Sequence, residues 1–333
     1  MWQAIYRRWH SGIERRLIWA YLIAAALTLV SFAAPLAVEA QPAGKVPRVG
    51  VLTTLPLSSW IFARQFPEAL RDLGYVEKQN IILEWRSADG RLDRLADLAA
   101  ELVRAKADVI VAMTNADVVA AKRATTTIPI VMGAAQDPVA AGLVASLARP
   151  GGNITGRTYL NPETVGKQLE LLKETVPTIT RVVYLRGVDA PGYATTYQGL
   201  RAGAQTLGLT LREVEVRKTD DVARVLEEVR RWQPDALYVG VVADLAVKHR
   251  LPLMYGVIEY TEAGALASYW PNSAEMFRRA ASYVHRILTG IRPGDLPIEQ
   301  PLKFELVVNL RTAKALGLTI PPWLLLRVNR LIE

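Results

Sequence analysis

The sequence predicts an α/β fold of two doubly wound parallel-sheet lobes, and three observations carry that expectation. Helical and extended segments alternate twice along the chain, with a break of turn residues (RPGGN, 149–153) between the two series. The extended segments are short and lack polar alternation, as in DVIVAMT at 108–114, which is the pattern of strands covered on both faces. At 333 residues, 51% of them hydrophobic, the chain is long and apolar enough for two cores.

The first series opens with a β-branched strand at 46–54, a helix at 60–73 that stops at Gly74, and a strand at 80–85. Residues 92–106 read as a long helix with Leu95, Leu98, Ala99, Leu102 and Val103 on one face. The buried strand 108–114 leads into a short helix at 116–125, and a strand at 128–133 leads to Asp137-Pro138. An Asp N-cap followed by Pro at the first helical position predicts a helix over 139–147. Pro150 and Gly151 end it, and the chain restarts in extended form at 154–156.

The second series runs helix 164–176, strand 181–186, helix 195–207, strand 210–216, helix 221–232 and strand 236–241. Strand 253–256, strand 265–269, helix 274–288, strand 304–309 and helix 311–316 follow, and Pro321-Pro322 opens a last helix over 323–331. The expected domains are therefore 46–157 for the first lobe, completed by a C-terminal segment, and 158–270 for the second. Residues 271–333 return across the lobes.

Residues 1–40 have a different character. Arg7, Arg8, Arg15 and Arg16 precede an apolar run at 17–34, and Val38-Glu39-Ala40 before Gln41 offers a cleavage site, so the segment reads as a signal peptide. A run of about 18 apolar residues is also at the lower limit for spanning a bilayer, which makes an uncleaved inner-membrane anchor the alternative. Export is expected either way, to the periplasm. The chain has no cysteine, which excludes disulfides, thiolate metal sites, thiol nucleophiles and a lipid-attachment cysteine. Loss of residues 1–40 removes four arginines and two glutamates and takes the net charge from +8 to +6, with no dense basic block left for nucleic acid.

Signals of catalysis are missing. There is no G-x-G-x-x-G, Walker sequence, H-E-x-x-H or G-x-S-x-G, and His249 and His285 are far apart and lack metal-ligand spacing. No catalytic residue, metal or cofactor is expected. Polar residues instead gather where an open α/β sheet places its ligands, beyond the carboxyl ends of strands. Thr53, Thr54, Ser58 and Ser59 follow the first strand, Thr114, Asn115 and Ala116 stand at a helix start after the third, and Asp137 follows the fourth. In the second series Arg186, Asp189 and Tyr193 follow the strand at 181–186, and Glu259 completes the ligand-binding set. Thr114, Asn115 and Asp137 each have a plain alternative role as helix caps. Trp60, Tyr193, Tyr260 and Tyr269 could wall an apolar or aromatic side chain, or could simply pack between the lobes. A zwitterion suits the set, with its carboxylate at 114–116 and its ammonium near Asp137.

Several stretches also resemble a known family: ALRDLGYVEKQNIILEWR (69–86), RLADLAAELVRAKADVIVA (94–112), ATTTIPIVMGAAQDPVAAGLVASLARPGGNITG (124–156), KQLELLKETVP (167–177) and EQPLKFELVVNLRTAKALGLTIPP (299–322). They are similar to the exported substrate-binding proteins of ABC transporters, in the family that includes tryptophan- and tyrosine-binding members. The resemblance implies a periplasmic-binding-protein-like fold of type I, with two lobes closing over a small ligand and no catalysis. It places Thr114, Asn115 and Asp137 at the cleft of the first lobe and Asp189 in the corresponding loop of the second. It also implies an ABC permease and its ATPase in the inner membrane as partners of a monomeric receptor, with an amino acid, aromatic ones first, as ligand. A membrane-tethered sensory domain and a two-lobed amino-acid-processing enzyme are the competing classes. One departure stands out: only residues 242–252 fill the place of a loop and full helix in the second lobe, which predicts a shortened cleft wall there.

Overall fold

The computed structural model describes residues 45–57, 61–160, 162–187, 193–216, 222–239, 251–255 and 258–333. Two sheets organise them, within the single compact unit Val46–Glu333. The first contains β1 (Arg48–Thr53), β2 (Ile82–Ser87), β3 (Val109–Ala112), β4 (Ile130–Gln136) and β5 (Ile154–Leu160), in the order β2-β1-β3-β4-β5, every pair parallel. Helices α1 (Ile61–Asp72), α2 (Leu95–Arg104) and α3 (Asn115–Ala124) connect its strands. The second sheet contains β6 (Arg181–Gly187), β7 (Thr210–Val216), β8 (Ala236–Val239), β9 (Leu253–Tyr255), β10 (Ala267–Pro271), β11 (Phe304–Asn309) and β12 (Arg330–Ile332). Its order is β12-β11-β10-β9-β8-β6-β7. The helices of this half are α4 (Pro162–Thr175), α5 (Tyr193–Leu207), α6 (Val222–Trp232), α7 (Ile258–Glu262), α8 (Ser273–Leu288), α9 (Leu310–Ala315) and α10 (Pro322–Leu325).

The apolar runs become strands because both faces of each sheet are covered. In β1, Val49 and Val51 pack with Phe62 and Phe66 of α1, while Leu52 faces Leu98 and Leu102 of α2. Fully burying one such side chain contributes about 1.5–3 kcal/mol. In the second sheet, Val183, Leu185 and Leu237 pack with Val225 and Val229 of α6, and the other face meets Leu169 and Leu172 of α4 and Leu200 of α5.

The chain crosses between the sheets after β5, after β10 and again at 299–304. Helix α8 follows a strand of the second sheet yet buries Met276, Phe277, Ala280, Ala281, Tyr283, Val284 and Ile287 in the core of the first. Those positions recur at helical spacing along one face. The returning segment then binds β5 edge-on: Glu299 N–H donates to the Gly156 carbonyl, and Thr158 N–H to the Glu299 carbonyl, both at 3.1 Å.

Three expectations need correction. Residues 139–147 do not form a helix but a single turn that ends at Gly142, which has φ +65°. Gly142 N–H donates to the Val139 carbonyl at 2.9 Å and Leu143 N–H to the Pro138 carbonyl at 2.9 Å, the paired bonds that close a helix on a left-handed glycine. The last helix stops at Leu325 rather than running to 331, because the residues after it pair with β11 as β12, Val307 opposite Arg330. The second sheet is not wholly parallel either, since β10 and β11 run antiparallel. The shortened connection at 242–252 falls mostly on residues outside those described, but β9 pairs parallel to β8 beyond it, Leu237 opposite Leu253 and Tyr238 opposite Met254.

Candidate ligand site between the lobes

The carboxyl ends of β1, β3 and β4 bring three loops of the first lobe together. At β3 the chain turns into α3 through Thr114, which has extended backbone (φ −97°, ψ 167°) and caps the helix. Thr114 Oγ1 accepts the Asp117 N–H at 3.3 Å, and Thr114 N–H donates to Asp117 Oδ2 at 2.9 Å, a reciprocal capping box. Asn115 is nearly buried, and its side chain grips the end of β4 as a strand would. Its Nδ2 donates to the Gln136 carbonyl at 2.7 Å and its Oδ1 accepts the Gln136 N–H at 2.6 Å. The first intrahelical bond is Val118 N–H to the Thr114 carbonyl, so the N–H groups of Asn115 and Ala116, like that of Asp117, have no intrahelical carbonyl, and the cap takes that of Asp117.

Asp117 is fully buried, and Thr54 Oγ1 donates to its Oδ1 at 2.6 Å. Burial pushes its carboxyl up to about 6, against the hydrogen bonds from Thr54 and Thr114, which hold it down.

Asp137, with φ +32°, follows the end of β4 and reaches the opposite lobe. Its Oδ1 accepts the Ala140 N–H at 3.0 Å, and its Oδ2 accepts the hydroxyl of Thr195, in the first turn of α5, at 2.8 Å. Asp137 is therefore both a cap, as its place before Pro138 suggests, and the acceptor of a bond that joins the lobes. Thr195→Val keeps the shape of the side chain and removes its donor. We expect the ligand-free variant to show a larger radius of gyration in X-ray scattering with an almost unchanged melting midpoint, because water can take over Asp137 once the lobes part. An unchanged radius would show that this bond does not hold the lobes closed.

The second-lobe wall begins at the end of β6. Arg186 pairs with Glu213 and, at 2.6 Å, with Glu215, while its guanidinium carbon lies 4.4 Å from the centre of the Tyr193 ring. Tyr193 donates its hydroxyl to Glu213 at 2.8 Å and stacks on Tyr197 at 5.6 Å. Tyr193 is thus held by Arg186, Glu213 and Tyr197 of its own lobe. Tyr269 stacks on Phe304 at 5.0 Å, and Tyr260 packs against the Val225–Leu237 side of the second lobe. Tyr159 and Trp270, whose ring centres lie 4.4 Å apart, stand at two of the crossings between the lobes.

The structure thus brings Thr114, Asn115, Ala116 and Asp137 to one edge of the first sheet and sets Tyr193 two residues from the partner of Asp137. Ser58, Ser59, Trp60 and Asp189 lie outside the described residues, and so does the side chain of Glu259, which stands in α7 just beyond the end of β9. Thr195, Asp117, Tyr159 and Trp270 escaped the sequence reading. Asp117 carried the one available signal, an acidic residue three positions after a capping threonine. Among the described residues no group of three or more His, Asp or Glu could hold a metal ion, and no helix is long and apolar enough to cross a membrane.

Two α/β lobes linked by several crossings, with a side-chain bond between them, have the fold of the type I periplasmic binding proteins. The family profile of ABC transporter substrate binding proteins matches residues 58–331, and the chain belongs to that family. Its members bind small molecules and work with the permease and ATPase of a transporter. A tyrosine-binding protein from Clostridioides difficile (strain R20291) is 28% identical over 264 residues, covering 76% of this chain and 75% of the relative. A conserved domain protein from Vibrio cholerae superposes with a TM-score of 0.80 at 28% identity, covering 86% of this chain and 100% of that structure. A domain from Streptococcus pneumonia in complex with L-Trp gives 0.79 at 25% identity, with the same coverage.

Proposed function

We propose that the chain is the exported receptor of an ABC importer that captures a small molecule, an amino acid and aromatic ones first, by closing its lobes, and that it catalyses no reaction. The observation that supports this reading most is the Asp137–Thr195 bond at 2.8 Å, which joins the loop after β4 of the first lobe to the first turn of α5 in the second. The relatives that bind tyrosine and L-Trp favour the aromatic amino acids. Ser58, Ser59, Thr114, Asn115, Ala116, Asp137, Asp189, Tyr193 and Glu259 form the proposed ligand set. A solute touching both lobes binds the closed form more tightly and shifts the population toward it, and that form is the one presented to the permease. Residues 1–40 serve in this reading as the export signal, which delivers a monomeric receptor to the periplasm.

Isothermal titration of the mature chain (41–333) with the twenty amino acids tests the proposal. Saturable binding of tryptophan or tyrosine at micromolar or lower concentration is the expected result, together with a smaller radius of gyration in the complex. A folded chain that takes up none of the twenty would exclude the ligand class.

A further inference from the structure

Asp117 lies beneath the ligand-facing residues without joining them. It joins two segments of the first-lobe wall: Thr54, on the loop leaving β1, donates its hydroxyl to Oδ1, and Thr114, at the start of α3, donates its backbone N–H to Oδ2. The Thr54 carbonyl also accepts the Gly90 N–H at 2.7 Å, so the same loop is fastened to the turn after β2. We propose that Asp117 is a positioning residue of the ligand site, its ionised carboxylate holding the loop after β1 and the start of α3 in the arrangement that the solute meets. This inference rests on the reading of the cleft as a solute site.

The chemistry follows from what a carboxylate can accept. Ionised, it takes both bonds as acceptor, and charge-assisted bonds are roughly twice as strong as neutral ones. Protonated, it carries one O–H that points at Thr54. That bond then reverses and weakens, while the Thr114 N–H keeps its acceptor. Asparagine produces the same pattern, with its amide donating to Thr54 and its carbonyl accepting from Thr114. Burial has already moved the carboxyl up to about 6, so both forms are reached between pH 7.5 and 5.

Charged groups on the surrounding elements are engaged elsewhere or exposed. Arg94 pairs with Asp89 at 3.8 Å, Arg86 with Glu101 at 2.7 Å, and Lys122 donates to the Gly142 carbonyl at 2.7 Å. Asp137 holds its two bonds, and Asp97, Arg104 and Arg123 are exposed. The sign of the linkage is distinctive. A carboxyl whose folded-state value is raised contributes stability at low pH that is lost as pH rises through about 6. Its ionised form strengthens the ligand site while weakening the fold.

Titration calorimetry at pH 7.5 and 5.0 with L-tryptophan and L-tyrosine, on the full mature chain, tests this with D117N and T54V. Wild type is expected to bind about three- to tenfold more weakly at pH 5.0. D117N binds at both pH values as wild type does at 5.0, yet melts no lower than wild type at pH 7.5. T54V shows the same loss of affinity, and D117N adds nothing in the T54V background. D117N that binds like wild type at pH 7.5 overturns the inference and leaves the solute reading intact, as does a loss that merely follows a lower melting point. The ligand-free chain supplies a second arm, in which the Asp117 carboxyl carbon and the Thr114 amide proton titrate together near pH 6 in NMR. Separate titrations overturn the inference whatever solute binds, whereas joint titration without binding of either amino acid overturns the ligand class alone.

Discussion

Gly156→Ala is expected to destabilise the chain by about 3 kcal/mol or more, the scale of the largest single-site effects. Gly156 lies in β5 opposite Met132, with φ +124°, a backbone region that side chains with a Cβ rarely adopt. A Cβ there would stand 2.4 Å from the Met132 carbonyl oxygen and 2.5 Å from its nitrogen. Both atoms belong to a central strand whose register with β5 shifts just beyond that point, between Met132 and Ala135. The atoms it would meet are all backbone of Met132, so no flexible side chain can yield. Strand β5 itself leads into the first crossing and pairs with the returning Glu299, so strain there reaches both lobes. Gly142→Ala is the internal control: φ is +65°, but nothing lies within 4 Å of the added Cβ, and a cost of about 1–2 kcal/mol is expected. Urea unfolding of the two variants reads the contrast, and equal midpoints would show that β4 and β5 can separate freely at Gly156.

The second large effect is expected at Phe62, fully buried in α1. Its ring stacks on Phe66 at 4.6 Å and meets the edges of Phe277 at 5.0 Å and Trp85 at 6.1 Å. Phe62→Ala removes the aromatic contact through which α1 holds α8 against the first sheet. Large-to-small changes of this kind cost about 3–5 kcal/mol. Because α8 is the segment of the second series that completes the first core, the expected result is one calorimetric transition for the parent chain and two for the variant, the first lobe melting ahead of the second. A single transition at the parent temperature would place the docking energy of α8 elsewhere on its face.

The fold was legible because its strongest signals are local. Runs such as VIVA in β3 and the one-sided apolar pattern of α8 need no knowledge of partners to be read. Misreadings arose where local patterns are ambiguous. Residues 139–147 are alanine-rich and apolar, and a lone glycine within such a run is tolerated in many helices. At Gly142 the left-handed backbone decided the outcome. Residues 323–331 mix apolar side chains with Arg327, Asn329 and Arg330, and periodicity over so short a run does not separate a helix from a strand. Pairing with β11 settled it.

The strand-end rule placed Thr114, Asn115 and Asp137 along one edge of the sheet, but not what their side chains hold. Asn115 answers to Gln136, twenty-one residues away, and Asp137 to Thr195, fifty-eight away. Neither partner is marked by any local pattern. Ser58, Ser59, Asp189 and Glu259 remain proposals on the same rule.

The position of α8 and β12 governs when the protein folds. The first core is closed by residues 276–296, and the second sheet by a strand at 330–332. Each core therefore waits on a segment far along the chain from the strands it covers. Pairings this distant in sequence make folding slow, since the loop must close before its contacts form. A chain built this way completes its cores late, and on the proposed reading that delay would leave it time to cross a membrane before folding.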